Sequence, residues 1–296
     1  MEGYVRRRFL LLSALLALAI GQTSLAVQCA GAADPGSANP EDGTLVDGVY
    51  ANPYFMLRHP SPPGWKPGPQ PAPPSYTGYY VLSTPAPAED MKATILIAAE
   101  DAFFAGKSVD DAMGMAKNLA HNVSETDRTA LPSSIVTIAG NSFVRLELKD
   151  SLLSRIVLVT DIRCHVLIFT FTAAEPETLE NLAQMLDHVS LESDAPASSP
   201  TGVPFPACVK GYATAENILS KVDPVLVGPR FLTVPVRIII GTDGRIKHTH
   251  VIRAFPEQRK SIEDAMAQWA FKPYLVDGKP VEIETGLMFE FKPAAR

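Results

Sequence analysis

His248 and His250 are two residues apart in an apolar stretch. On a strand they share a face, which is the spacing of two imidazole ligands to a metal ion. No carboxylate or cysteine lies near them in sequence to complete a ligand set, so they read as exposed histidines and no metal is expected. Glu100 with Asp101, and Asp110 with Asp111, are carboxylate pairs of the kind used in acid–base chemistry. Adjacent side chains point to different sides, and both pairs read as solvated surface. No phosphate loop, dinucleotide fingerprint, HExxH, CxxC or G-x-S-x-G occurs. The residues therefore predict no catalytic group, no cofactor and no enzyme, and leave binding as the function class.

The elements that carry these residues belong to a chain of 296 residues with 46% hydrophobic and 20% charged side chains. That composition folds, and its length suits about two domains. The formal net charge of −6 argues against nucleic acid as a partner, because phosphate binding needs a clustered positive surface. The one long apolar run is N-terminal. Arg6, Arg7 and Arg8 precede residues 9–20, which are apolar except for Ser13, and small-residue sites follow at 24–26 and 30–32. This is the pattern of an export signal over 1–32, placing the mature chain in the periplasm or cell envelope. The alternative is an inner-membrane anchor over 9–27. With export, Cys164 and Cys208 remain after cleavage. They either pair in an oxidising compartment or stay as two buried thiols.

Composition then divides the chain. Residues 33–45 read as a flexible leader and 194–206 as a Pro/Ser-rich linker. Between them, residues 46–193 hold 10 Lys and Arg against 17 Asp and Glu, a net of −7 for residues 46–193. Residues 204–296 hold 13 against 10, a net of +3. Opposite signs permit mutual docking. In 46–193, apolar or alternating runs predict strands over 54–57, 79–83, 93–98, 142–148, 155–160 and 164–172. Helical spacing predicts helices over 109–120, with Ser108 as N-cap, and over 176–189. Strands with short connections imply a largely antiparallel sheet, giving an α+β fold class. The stretch Gly48-Val49-Tyr50-Ala51-Asn52-Pro53-Tyr54-Phe55, followed by Pro63-Gly64-Trp65, resembles the opening of PsbP-like α/β/α sandwich domains of exported bacterial proteins.

Residues 207–296 read as a second, smaller domain. Val234, Val236, Ile238 and Ile240 alternate on a strand, Asp243-Gly244 turns it, and residues 246–252 return. Ile262, Ala265, Met266 and Trp269 form the apolar stripe of a helix over 256–269. A last strand over 281–291 puts Val281, Ile283, Thr285, Leu287, Phe289 and Phe291 on one face and Glu282, Glu284 and Glu290 on the other, a solvated face. The result is a three-stranded antiparallel sheet with one main helix.

This segment resembles the C-terminal domain of TonB-family energy transducers over about 210–293. The matching residues are those of 236–240, Asp243-Gly244, Ala265, Trp269-Ala270-Phe271-Lys272-Pro273, Asp277-Gly278-Lys279-Pro280-Val281 and Phe289-Glu290-Phe291. The resemblance implies a module that binds an extended segment of an outer-membrane transporter by strand addition at a sheet edge. The expected partner is an envelope protein or an extended peptide segment, with homodimerisation left open. The expected partner-binding residues are those of the last strand: Val281, Ile283, Thr285, Leu287, Met288, Phe289 and Phe291. Alternatives are an anchored energy transducer, or an envelope enzyme or ligand-binding protein working through the first domain.

Overall fold

The computed structural model describes residues 38–85, 87, 93–106, 109–124, 129–149, 152–191, 205–225 and 233–290. The expected signal over 1–32, most of the 194–206 linker, the Ser108 cap and Phe291 lie outside them. The described chain opens with three short strands, β1 Thr44–Val46, β2 Val49–Asn52 and β3 Leu57–Pro60. Asp47 and Gly48 both take positive φ in the β1–β2 turn, the two-residue hairpin that an Asp-Gly pair favours. Residues 54–56 of the strand expected over 54–57 form a turn. Asn52 Oδ1 accepts the Phe55 N–H at 3.1 Å, a side-chain-closed turn that delays the strand to Leu57 and points Tyr54 and Phe55 inward. The described part of the expected leader over 33–45 is ordered structure. Ala38 is buried, and residues 44–46 already form β1.

The main sheet follows, with β4 Tyr79–Ser83 and β5 Ala93–Asp101 before helix α1 Ala112–Ser124. Its later strands are β6 Thr129–Ala130, β7 Ser134–Ile138, β8 Asn141–Lys149, β9 Ser154–Ile162 and β10 His165–Ala173. All pairings are antiparallel, in the order β4-β5-β10-β9-β8-β6, with β7 also on β8. Asp111 Oδ1 accepts the Gly114 N–H at 2.6 Å, so α1 begins later than the apolar spacing suggests. Helix α2, Pro176–Gln184, runs into a 3₁₀ turn, Met185–His188, and strand β11, Ser190–Leu191, which pairs with β3.

The long strands are apolar on both faces because both faces are covered. Val157, Val159 and Ile168 face α1, while Leu158, Phe169 and Phe171 face α2 and the small sheet β1-β2-β3-β11. The first part of the chain is thus an α/β sandwich around a largely antiparallel sheet.

The C-terminal elements are β12 Ala207–Cys208, β13 Ile218–Ser220, β14 Thr233–Ile240, β15 Ile246–Val251, α3 Pro256–Met266, β16 Ala270–Phe271, β17 Tyr274–Val276, β18 Lys279–Val281 and β19 Ile283–Glu290. Their sheet has the order β12-β19-β14-β15. The three expected antiparallel strands are present, and β12 is added in parallel on the outer side of β19. One face carries α3, with Ile262, Met266 and Trp269 packed among Val234, Val236, Ile238 and Phe289. The other face lies against the main sheet, where Gly286 meets Phe103 and Phe104.

Cys164 and Cys208 form a disulfide. Arg163 and Cys164 both take positive φ in the two-residue turn between β9 and β10, and this tight turn presents Cys164 to β12.

Candidate functional site

Of the residues expected to bind a partner, Val281 belongs to a separate hairpin, where it pairs with Tyr274 across the Asp277-Gly278 turn. Two positive-φ residues at that turn end one strand pair before β19 begins. Ile283, Thr285, Leu287, Met288 and Phe289 lie on β19. Ile283 and Thr285 are fully buried and Phe289 nearly so, whereas Met288 is 47% exposed. The odd-numbered side chains face α3, as the alternation predicts.

What β19 offers a partner is backbone. The Glu282 and Glu284 carbonyls accept the Ala207 and Val209 N–H groups at 2.8 and 3.0 Å, which places the even-numbered backbone groups on the outer side, away from β14. By the same period, the outward groups of Gly286 and Met288 have no backbone partner among the described residues. They open on a cleft of about 920 Å³ between residues 286–290 and 211–224, lined by Ala213, Ile218, Lys221 and Trp269. The edge of the last strand is therefore covered over its first residues by β12, an earlier segment, and open beyond them.

The even-numbered face was expected to be solvated. Glu284 instead is buried, because that face lies against the main sheet. Arg237, diagonally across on β14 where it pairs with Gly286, donates from Nη2 to Glu284 Oε1 at 2.8 Å, from Nη2 to the Tyr54 hydroxyl at 2.8 Å and from Nη1 to Asp101 Oδ2 at 2.6 Å. Tyr54 in turn donates to Glu284 Oε1 at 3.2 Å. His165 Nδ1 lies 2.7 Å from the Arg163 carbonyl, which only accepts, so Nδ1 carries the proton. Nε2 is then the acceptor for Arg237 Nη1 at 3.1 Å. Burial, reinforced by Arg237, holds the His165 pKa well below its ordinary value, in keeping with a neutral ring. Burial would lower the Arg237 pKa, but Asp101 and Glu284 drive it well above its ordinary range. Burial raises Asp101, and Arg237 offsets this only in part.

Asp101 is thus not the solvated carboxylate expected. Its neighbour Glu100 points the other way and is half-buried, its pKa pushed up to about 7 by burial and by Asp101. Asp101, His165, Arg237 and Glu284 are each no more than 5% exposed, so the cluster lies buried where the two sheets meet. The signal that marks it in sequence is a lone charge inside an otherwise apolar strand, as at Arg237 between Val236 and Ile238.

The histidine pair is corrected as well. His250 is buried, its Nε2 2.9 Å from Glu41 Oε1, and His248 Nε2 lies 3.1 Å from Asn39 Oδ1. They tie the 38–42 segment onto β15. Among the described residues no three His, Cys, Asp or Glu side chains come together as a metal site, and no helix is long and apolar enough to cross a membrane.

Residues 233–293 match the family model for the Gram-negative bacterial TonB protein C-terminal. No curated protein matches the chain. Among solved structures, cyanobacterial PsbP from Synechocystis aligns at 15% identity over 54% of this chain and 100% of that one, with a TM-score of 0.37. The TonB C-terminal domain of Pseudomonas aeruginosa aligns at 28% identity over 30% of this chain and 96% of that one, with a TM-score of 0.25. LpqN of Mycobacterium tuberculosis, involved in cell envelope biogenesis, aligns at 18% identity over 46% and 83%, with a TM-score of 0.31. The part of the chain from Thr233 onward, holding the open strand edge, is accordingly similar to the TonB C-terminal domain, a cell-envelope module.

Proposed function

We propose that this protein is a periplasmic or envelope binding protein that takes an extended segment of a partner as an added strand along the outer side of β19. The observation that carries this reading is the pair of outward backbone positions at Gly286 and Met288, facing a cleft of about 920 Å³. Backbone pairing supplies affinity for any extended segment, and side chains at alternate positions supply selection. Met288 adds an exposed apolar contact on one face of the added strand, and Ile218 and Leu287 line the other. The similarity to TonB C-terminal domains makes the periplasmic segment of an outer-membrane transporter the leading partner class. On this reading the protein binds and does not catalyse, and residues 1–32 direct its export.

The test is a photo-crosslinking residue placed at Met288 in the full chain, with Leu275, exposed on β17, as the control position. An adduct with a transporter at 288 and none at 275 is expected. Met288→Pro should abolish the adduct formed through a crosslinker at Glu290. Proline removes the outward N–H at 288 and leaves the inward pairs with β14 in place. If Met288→Pro retains native circular dichroism and still yields the adduct, strand addition here is wrong.

A further inference from the structure

The first residues of the β19 edge are already occupied by a strand from the same chain. β12 is two residues long, both exposed, and pairs in parallel register with Ile283 and Glu284. It contributes the Ala207 N–H to Glu282 and is followed by the Val209 N–H to Glu284. In a parallel ladder of this register the Glu284 N–H faces the Ala207 carbonyl. β12 stands on the same side of β19 as the outward groups of Gly286 and Met288, in line with the position of an added strand. Two backbone positions are a small holding force for a strand. Beside it, Arg163 stacks over the Phe205 ring at 4.5 Å and Lys210 pairs with Asp110 at the surface at 2.8 Å, and the covalent tie of β12 to the main sheet is the Cys164–Cys208 disulfide, anchored in the tight turn between β9 and β10. The Cys208 end is exposed, where a thiolate can reach it.

We propose that β12 is an internal occupant of the strand-docking edge, held there by the Cys164–Cys208 disulfide. The thiol–disulfide state then sets the length of edge a partner strand can use. With the disulfide intact, only the part from Gly286 onward is open. Reduction releases β12 and adds Glu282 and Glu284. A dithiol reductant supplies the chemistry. One thiolate attacks Cys208 Sγ, the Cys164 thiolate leaves and is protonated, and the second thiol then releases Cys208. The protein gains two electrons and two protons as two thiols, and the reductant ends as its own disulfide. The proposal rests on the strand-addition reading for its consequence, but strand release is measurable with no partner present.

The experiment is residue-resolved amide exchange by NMR on the full chain, oxidised, after dithiothreitol, and as Cys208→Ser. Reduction and Cys208→Ser should each speed exchange of the Glu284 amide by about tenfold or more, with the Ile283 and Thr285 amides, which face β14, unchanged. A synthetic peptide of residues 205–210 should restore Glu284 protection in the reduced chain and have no effect on the oxidised one. The proposal is overturned if Glu284 exchange is indifferent to reduction. It is equally overturned if protection is lost across β14 as well, since the disulfide then holds the fold and not one strand. Equal action of the peptide on both forms also overturns it. Each of these results leaves strand addition at Gly286 and Met288 standing, and failure of the crosslink at 288 leaves the release of β12 standing.

Discussion

Arg237 Nη1 lies 2.6 Å from Asp101 Oδ2, joining two strands that are 136 residues apart in sequence and that belong to different sheets. The same guanidinium reaches Glu284 and Tyr54, so its planar fork satisfies groups from both sheets where water is excluded. Replacing it with methionine keeps much of the volume and leaves Asp101 and Glu284 buried without their cation. Arg237→Met should cost about 3–5 kcal/mol, read as a lower urea midpoint. An unchanged midpoint would mean that the ion pairs add nothing over apolar packing.

Gly286 is required by the close approach of the two sheets. A Cβ there would sit 2.7 Å from Phe103 Cβ and 2.8 Å from Phe104 Cζ. Gly286→Ala should therefore destabilise the full chain by roughly 1–3 kcal/mol, since either β19 or the 103–104 turn must move. Thermal denaturation measures this, and Phe104→Leu combined with Gly286→Ala should recover part of the loss.

Trp269 is an anchor of the C-terminal core. It stands edge-on to Phe289 with ring centroids 5.8 Å apart, and its Nε1–H donates to the Val222 carbonyl at 2.7 Å. Trp269→Ala removes both and should cost about 3–5 kcal/mol in urea denaturation of the full chain.

His59 is buried beside Phe169 and Phe171, and burial pushes its pKa down to about 4 from an ordinary 6.5. Below pH 6.5 the unfolded chain takes up a proton that the folded chain refuses. The unfolded state thus binds more protons between pH 6.5 and 4, and stability falls as pH falls through that window, by about 3 kcal/mol for this one group. His59→Phe should remove this share of the acid sensitivity. Urea midpoints at pH 7.5 and pH 4.5, compared between the two proteins, measure it. Parallel pH profiles would show that His59 is hydrated or charged in the fold.

Much of the local structure was legible in the residues. Asp243-Gly244 turns where an Asp-Gly pair should, because glycine takes positive φ at no steric cost. The runs around Ile97, Leu158 and Phe169 lie in strands of the main sheet, and the stripe Ile262, Ala265, Met266 faces the core. The strand expected over 54–57 failed because one side-chain acceptor, Asn52 Oδ1, competes with strand pairing through a turn.

Periodicity reports which side of an element is apolar, and for that reason the sequence alone determined the longer strands, the helix stripes, the Trp269 anchor and the odd-numbered core face of β19. It carries no information on what covers the other side. Glu284 and Asp101 looked solvated because a charged residue usually is. Only the packing of one sheet on the other brings them to a single arginine and makes their burial tolerable. The same holds for the cysteines and the edge. Whether Cys164 meets Cys208, and whether a two-residue strand lies across Glu282 and Glu284, depends on contacts between segments far apart in the chain, whose partners are selected by the shape and charge of the assembled sheets.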